Sequence, residues 1–298
     1  MEMLTLSHVK KHFGEKEVLK DVSFSVPEHT VFGFVGQNGA GKTTAMKMIL
    51  GLLPVSGGEI RVNNLPVCYG NNPANRFVGY LPDVPEFYSF MTPKEYLRFC
   101  GEISGMADRE IRSRSEELLC LVGLDREKRR IKGFSRGMKQ RLGIAQALFG
   151  RPRLLICDEP TSALDPVGRK ELLDILAAAR DETTVLFSTH ILSDVEHICD
   201  EIALLHEGRI AMKGSLEEVR KRKKEAAMEF EMERAEDAGI LMTVFPFLES
   251  RGKNGLLLKE SKRLPDILRF IADRNMAILR MERQETALED LFLEVVRR

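Results

Sequence analysis

The stretch Gly36-Gln37-Asn38-Gly39-Ala40-Gly41-Lys42-Thr43, with Thr44 directly after it, has the spacing G-x-x-x-x-G-K-[ST]. Glycines leave the backbone free to turn its N–H groups inward around a cluster of anionic oxygens, and a following helix N-terminus adds positive potential. Lysine then neutralises the β- and γ-phosphates of a nucleoside triphosphate, and the threonine after it offers its hydroxyl to Mg²⁺. The pattern needs a strand before it and a helix after it. Both are present, because Val31 to Val35 is a continuous apolar run and Thr44 to Leu50 reads as helical. The expected ligand of Gly36 through Thr44 is therefore ATP with Mg²⁺.

A second apolar run, Arg153 to Cys157, ends in Asp158-Glu159. A buried strand that delivers two carboxylates at its C-terminal end puts them where ligands bind in α/β sheets. Taken alone the pair could be a solvated strand end. Beside a phosphate loop it predicts hydrolysis, with Asp158 holding Mg²⁺ through water and Glu159 polarising the attacking water as general base. A third element, Phe134-Ser135-Arg136-Gly137-Met138-Lys139-Gln140-Arg141, opens a helix with Ser135 as N-cap and Gly137 in its first turn. Such an end can hold an anion.

These groups need a rigid frame. Leu4 to Val9 and Val18 to Val26 alternate apolar and polar residues around a Gly14-Glu15-Lys16 turn, which predicts an antiparallel opening sheet. Val31 to Val35, Arg153 to Cys157 and Thr183 to Ser188 are unbroken apolar runs suited to a parallel sheet buried on both faces. Between the first two lies a helical stretch. Thr92-Pro93-Lys94-Glu95 is a capping box followed by Tyr96, Phe99, Cys100 and Ile103, and a helix from about Asp108 carries Ile111, Leu118, Leu119 and Val122. The expected fold is α/β, a phosphate-loop NTPase core with an N-terminal antiparallel β-subdomain and an inserted helical subdomain at about 92–150.

The character changes near Gly214. Beyond it, Ser215-Leu216-Glu217-Glu218 starts a helix running into the basic Arg220 to Lys224. Met228, Phe230 and Met232 then alternate with glutamates, Asn254-Gly255 suggests a tight turn, and Thr286-Ala287-Leu288-Glu289 caps a last helix. Residues 1–214 thus read as the ATPase domain and 215–298 as a small C-terminal α+β accessory domain.

Composition bounds the partners. Acidic and basic residues balance at 45 each, which gives no electrostatic footprint for nucleic acid. Cys68, Cys100, Cys120, Cys157 and Cys199 are scattered, form no C-x-x-C pair and follow no leader sequence, as suits a reducing cytosol. The longest strongly apolar stretch, Gly239 to Leu248, contains Pro246 and falls short of the roughly 20 residues a bilayer span needs.

The helix opening at Ser135 is similar to the signature of the ATP-binding cassette family, L-S-G-G-Q followed by Q-R or K-Q-R. With the phosphate loop, Asp158-Glu159-Pro160-Thr161, Ser162-Ala163-Leu164-Asp165 and His190, the chain resembles that family from about Leu4 to Gly214. The resemblance implies a head-to-tail dimer in which Ser135 and Gly137 reach the γ-phosphate held by the other subunit's Lys42; intact Glu159, Ser135 and Lys42 favour a homodimer, the alternative being a pair with a different cassette. It implies that Asp165 supports the opposite site, that His190 contacts the γ-phosphate and helps hold the attacking water, and that Phe13 stacks on adenine. Departures stand out: Arg136 replaces a signature glycine, and Asp83, in Tyr80-Leu81-Pro82-Asp83, stands where the family usually has glutamine. An aspartate there can hold Mg²⁺-bound water but cannot donate as an amide does.

The F-S-x-G-M-K-Q-R form and the acidic residue after Tyr-Leu-Pro further resemble the bacterial export class that moves drugs, lipids, sodium or polysaccharide. That likeness implies docking on integral membrane permease subunits at the cytoplasmic face of the inner membrane. Tyr80 to Phe90 is rich in aromatics and prolines without a helical or strand period, so coupling would run through the surface around Asp83, Phe87 and Tyr88, the alternative being that those aromatics are buried in the local core. Membrane contact would run mainly through the permease. The rival reading is a soluble cassette protein acting on ribosomes or DNA. By resemblance such proteins carry two cassettes or a long coiled-coil insertion, and this sequence has neither. A GTPase would need an Asn-Lys-x-Asp run, which is missing.

Overall fold

The computed structural model describes residues 1–221, 227–259, 261–284, 288 and 292. The chain divides into two compact units, Met1–Leu216 and Glu217–Arg298.

The first unit opens with β1 (Glu2–Phe13) and β2 (Lys16–Pro27), antiparallel, with Leu6 opposite Phe24 and Leu4 opposite Val26. Their alternation buries one face, as the period-two pattern requires. Strand β3 (Val31–Gly36) is buried throughout and runs into helix α1 (Lys42–Ile49). Strands β4 (Gly57–Val62) and β5 (Leu65–Pro66) extend the antiparallel part, and β6 (Val78–Leu81) leads to the helical segment. That segment contains α2 (Pro93–Ile103), α3 (Asp108–Leu121) and α4 (Arg136–Leu148). Then come β7 (Leu154–Asp158), α5 (Pro166–Ala179), β8 (Thr184–Thr189), α6 (Leu192–Ile198), β9 (Glu201–His206) and β10 (Arg209–Ser215).

One ten-stranded sheet results, ordered β5-β4-β1-β2-β10-β9-β3-β8-β7-β6. The run β9-β3-β8-β7-β6 is parallel, with Val35 beside Thr189 and Asp158 beside Ser188. The three continuous apolar runs of the sequence are the central strands β3, β7 and β8. Phe24, Phe32 and Phe34 stack at 5.3–5.5 Å between centroids and anchor a core that also takes Met46, Ile49, Ile156 and Leu186. Buried aromatic rings contribute area burial plus about 0.5–1.5 kcal/mol for each well-arranged pair.

Helix α2 has the expected capping box at Thr92 and Glu95 but a different buried face: Tyr96 and Leu97 are buried while Ile103 is exposed. The aromatics of the preceding loop explain the rotation, since Phe87 packs edge-on against Tyr96 and Tyr88 against Phe99. In α3, Ile111, Leu118 and Leu119 are buried with Arg114 between them. Gly214 lies inside β10, opposite Ile202, so the first unit continues past it to Leu216 at the start of α7 (Leu216–Lys221).

The second unit has a four-stranded antiparallel sheet. Its strands are β11 (Ala227–Met232), β12 (Glu249–Arg251), β13 (Gly255–Leu258) and β14 (Ile278–Gln284), ordered β12-β13-β11-β14. Phe230, Met232, Leu256 and Leu258 pack against Ala238 and Leu241 of α8 (Ala235–Val244) and Ile267 and Ile271 of α9 (Leu264–Asp273). The β12–β13 turn is made differently from the Asn254-Gly255 expectation. Gly252 carries the positive φ of 78°, and Gly255 already pairs with Arg251 and Glu231. Residues 222–224 of the basic run, and all of 286–295 except 288 and 292, lie outside the described residues.

Candidate active site

Strands β3, β8 and β7 are neighbours and parallel, so the loops after them open at one edge of the sheet. The phosphate loop follows β3, Asp158-Glu159 closes β7, and His190 follows β8. A cleft of about 490 Å³ lies there, bordered by Lys42, Thr43, Thr44, Asp83, Glu159 and His190.

Gly41 precedes α1 with φ +109°, a conformation closed to residues with a Cβ, and a Cβ there would sit 2.8 Å from Leu19 Cδ2. That kink starts α1 directly behind the loop. Lys42 is only 5% exposed, and its Nζ donates to the carbonyls of Gly36 (2.7 Å) and Gln37 (3.1 Å) while lying 3.0 Å from Glu159 Oε1. Ala40 N–H closes the loop onto Gln37 O at 3.1 Å. Asn38 and Gly39 line the cleft beside them.

Thr43 Oγ1 donates to Asp158 Oδ1 at 3.2 Å. Ser188, opposite Asp158 in the sheet, donates from Oγ to the same oxygen at 2.7 Å and accepts the Glu159 N–H at 3.0 Å. One hydroxyl thus fixes both acidic residues. Glu159 has φ +48°, a rare value for a residue with a Cβ, and strain of this kind gathers at functional positions. Its Oε2 lies 2.7 Å from His190 Nδ1. With the carboxylate ionised, Nδ1 carries the proton and donates it, which leaves Nε2 as the acceptor of a neutral ring. Nearby, burial together with Asp158, Cys157 and Asp83 pushes the Tyr80 phenol up to about 12, so it stays protonated.

Other sequence-derived residues are placed elsewhere. Ser135 caps α4, its Oγ accepting from Met138 N at 3.2 Å, and Asp165 stands at the N-cap position of α5 with its side chain exposed and making no cap bond. Neither they nor Gly137 border this cleft. Phe13, half exposed at the end of β1, lies outside it as well, with Lys11 Nζ 4.9 Å from its ring, while Lys16 and Val18 supply that wall. Asp83 does border the cleft, and its Oδ1 is bonded by Arg136 and Ser162.

Sequence reasoning missed Ser188, although a hydroxyl closing the apolar run Thr183 to Ser188 was a usable signal. It also missed Asp194, buried at the start of α6, whose Oδ2 accepts from Thr161 Oγ1 at 2.6 Å. Burial holds that carboxyl above its ordinary value, against the pull of Thr161 and Arg169. The bond ties the segment after Glu159 to the helix after His190.

The sequence profile of the ABC transporter family matches residues 19–162. An uncharacterized ABC transporter ATP-binding protein of Bacillus subtilis, YxlF, is 37% identical over 99% of this chain and 99% of its own. The bacitracin transport ATP-binding protein BcrA of Enterococcus faecalis is 33% identical over 99% and 96%. Among solved structures, an ATP-binding subunit of an ABC transporter superposes with a TM-score of 0.65 at 33% identity, covering 74% of this chain and 92% of that one.

Proposed function

The chain belongs to the ABC transporter family as an ATP-binding subunit, and we propose that two copies close head to tail over two ATP molecules to drive export through separate membrane-spanning subunits. The family binds ATP and hydrolyses it to power transport. The observation that carries the assignment of roles is the unbroken chain of contacts Lys42–Glu159–His190, at 3.0 and 2.7 Å within one cleft.

In this reading the triphosphate takes over Lys42 Nζ from the carbonyls and from Glu159. Glu159 Oε1, released from the ammonium, accepts a proton from the attacking water, while His190 holds the other carboxylate oxygen in place. Thr43 Oγ1 and Asp158 Oδ1 are hard oxygen donors on adjoining elements, a set that suits Mg²⁺, which keeps most of its ligands as water and phosphate oxygens. Bound there, Mg²⁺ would neutralise charge on the phosphates. Asp83 borders the same space and could hold a metal-bound water.

Three observations support the assembly. Ser135 and Asp165 are exposed and outside their own cleft, as groups serving a partner's nucleotide must be. Val84, Tyr88 and Phe90 expose large apolar surface on the loop leading to α2, which suits docking on a permease better than contact with water. No helix among the described residues is long and apolar enough to cross a membrane, which fits a subunit that docks at the cytoplasmic face on other chains that cross. Likeness to a bacitracin transport protein along nearly the whole chain supports export.

The test is to tag the chain in its host, solubilise membranes in mild detergent and identify copurifying proteins by mass spectrometry. A multispan membrane protein at comparable abundance is the expected result. Recovery of ribosomes or DNA-associated proteins without one would sink the exporter reading and leave the ATPase chemistry untouched.

A further inference from the structure

The two departures from the family pattern meet in space. Arg136 Nη2 lies 3.1 Å from Asp83 Oδ1 and 3.1 Å from Ser162 Oγ, and the Ser162 hydroxyl donates to Asp83 Oδ1 at 2.6 Å. This ring of contacts joins the loops after β6 and β7 to the first turn of α4. Fully buried Gln140, one turn further along α4, donates from Nε2 to the Asp83 carbonyl at 2.5 Å. Gly143 lets α4 approach so closely that a Cβ there would stand 2.5 Å from Leu81 Cδ1. The loop and the helix are therefore tied by side chain, main chain and packing at once.

The chemistry of the pair is reciprocal. A carboxylate where the family has an amide has lost its donors, and an arginine where the family has a glycine brings five N–H donors in a planar fork. Alone, the Asp83 carboxylate would set an uncompensated negative charge beside a site that must hold a triphosphate, and Arg136 would lack the acceptor that orients it. Together they neutralise one another. Both bonds to the Asp83 carboxylate fall on Oδ1, which leaves Oδ2 as an acceptor. Asp83 and Ser162 border the cleft and Arg136 does not, so Arg136 acts on its own cleft through them.

We propose that Arg136 is a positioning residue for ATP hydrolysis: it clasps Asp83 and Ser162 so that the Asp83 loop and α4 move as one body when ATP fills the cleft, and the two departures function only as a pair. The inference rests on the ATPase reading above. It extends that reading by giving Arg136, Asp83 and Ser162 one joint structural role in the chain's own cleft.

The test is a double-mutant cycle on the full chain with Asp83→Gln, Arg136→Gly and the combined variant. Its readouts are kcat and KM for ATP, the affinity of a fluorescent ATP analogue with and without Mg²⁺, and the thermal midpoint. Each single variant is expected to lower kcat about fivefold with KM and analogue affinity held within about twofold, and the combined variant to return kcat to within about twofold of the parent. Arg136→Lys, which keeps the charge without the fork, should recover part of the Arg136→Gly loss. Losses that multiply in the combined variant, or a single variant at parental kcat, overturn the clasp while leaving the ATPase standing. A parent chain that neither binds the analogue nor hydrolyses ATP overturns the ATPase reading and the clasp with it.

Discussion

Two ion pairs of nearly the same length each set a carboxylate on the same cleft and are built for different service. Lys42–Glu159, at 3.0 Å, has side chains 5% and 14% exposed; Arg136–Asp83, at 3.1 Å, has side chains 44% and 49% exposed. Separation therefore does not distinguish them, and water does. An exposed pair is screened and is worth about 0–1 kcal/mol. Removing one partner of a buried pair leaves an uncompensated charge at a cost of about 3–5 kcal/mol. On the proposed reading, the buried pair holds its groups until a ligand of matching charge displaces one of them, and the exposed pair orients the Asp83 loop against α4.

The strongest way to break that comparison is Glu159→Gln, which keeps size and burial and removes the base. We expect kcat to fall by about 10²–10⁴-fold with ATP affinity retained, measured by steady-state hydrolysis beside analogue binding. Parental turnover would mean that the buried carboxylate is not the base. Next is Gly41→Ala, aimed at the kink that sets α1 and Lys42 behind the loop. Forcing a Cβ residue to φ +109° should cost about 1–3 kcal/mol in denaturant unfolding and weaken nucleotide binding, and an unchanged midpoint would show that the loop tolerates another path.

A third variant separates burial from pairing through pH. Asp194 is buried and its carboxyl is raised above the ordinary value by that burial. The folded state then holds the proton more tightly than the unfolded state, so the contribution to stability is full below the unfolded pKa and is lost as pH rises through the folded one. Asp194→Asn keeps an acceptor for Thr161 and escapes the loss. Its thermal midpoint should exceed the parent's at pH 8, with the advantage gone at pH 3. An advantage that persists at pH 3 would assign the effect to packing instead. The smallest effect belongs to Arg136→Ala, which should change stability by at most about 1 kcal/mol, and less in high salt. A salt-insensitive loss of several kcal/mol would erase the distinction between the two pairs.

Much of the site was legible because its chemistry is local in sequence. The phosphate loop is one stretch from Gly36 to Thr44, and Asp158-Glu159 announces itself as two acids ending an apolar strand. The central strands β3, β7 and β8 were legible for the same reason, since both faces are buried and every residue carries the signal. The buried face of α2 was not. Its apolar residues were compatible with more than one rotation, and the choice fell to contacts with Phe87 and Tyr88, which no helical periodicity includes. The β12–β13 turn was misplaced because Gly252 and Asn254-Gly255 are both good turn formers, and pairing with β11 decided between them.

By itself the sequence determined which groups would be available: a phosphate cradle, two acids, a histidine and the strands that carry them, each fixed by residue type and spacing within a few positions. Only the tertiary structure decided which of them meet. Ser188 reaches Asp158 because β7 and β8 lie side by side in register, His190 reaches Glu159 across the same pair of strands, and Arg136 reaches Asp83 across 53 positions of chain. Sheet order and helix packing set those encounters, and they are properties of the whole folded unit that no short window of sequence encodes.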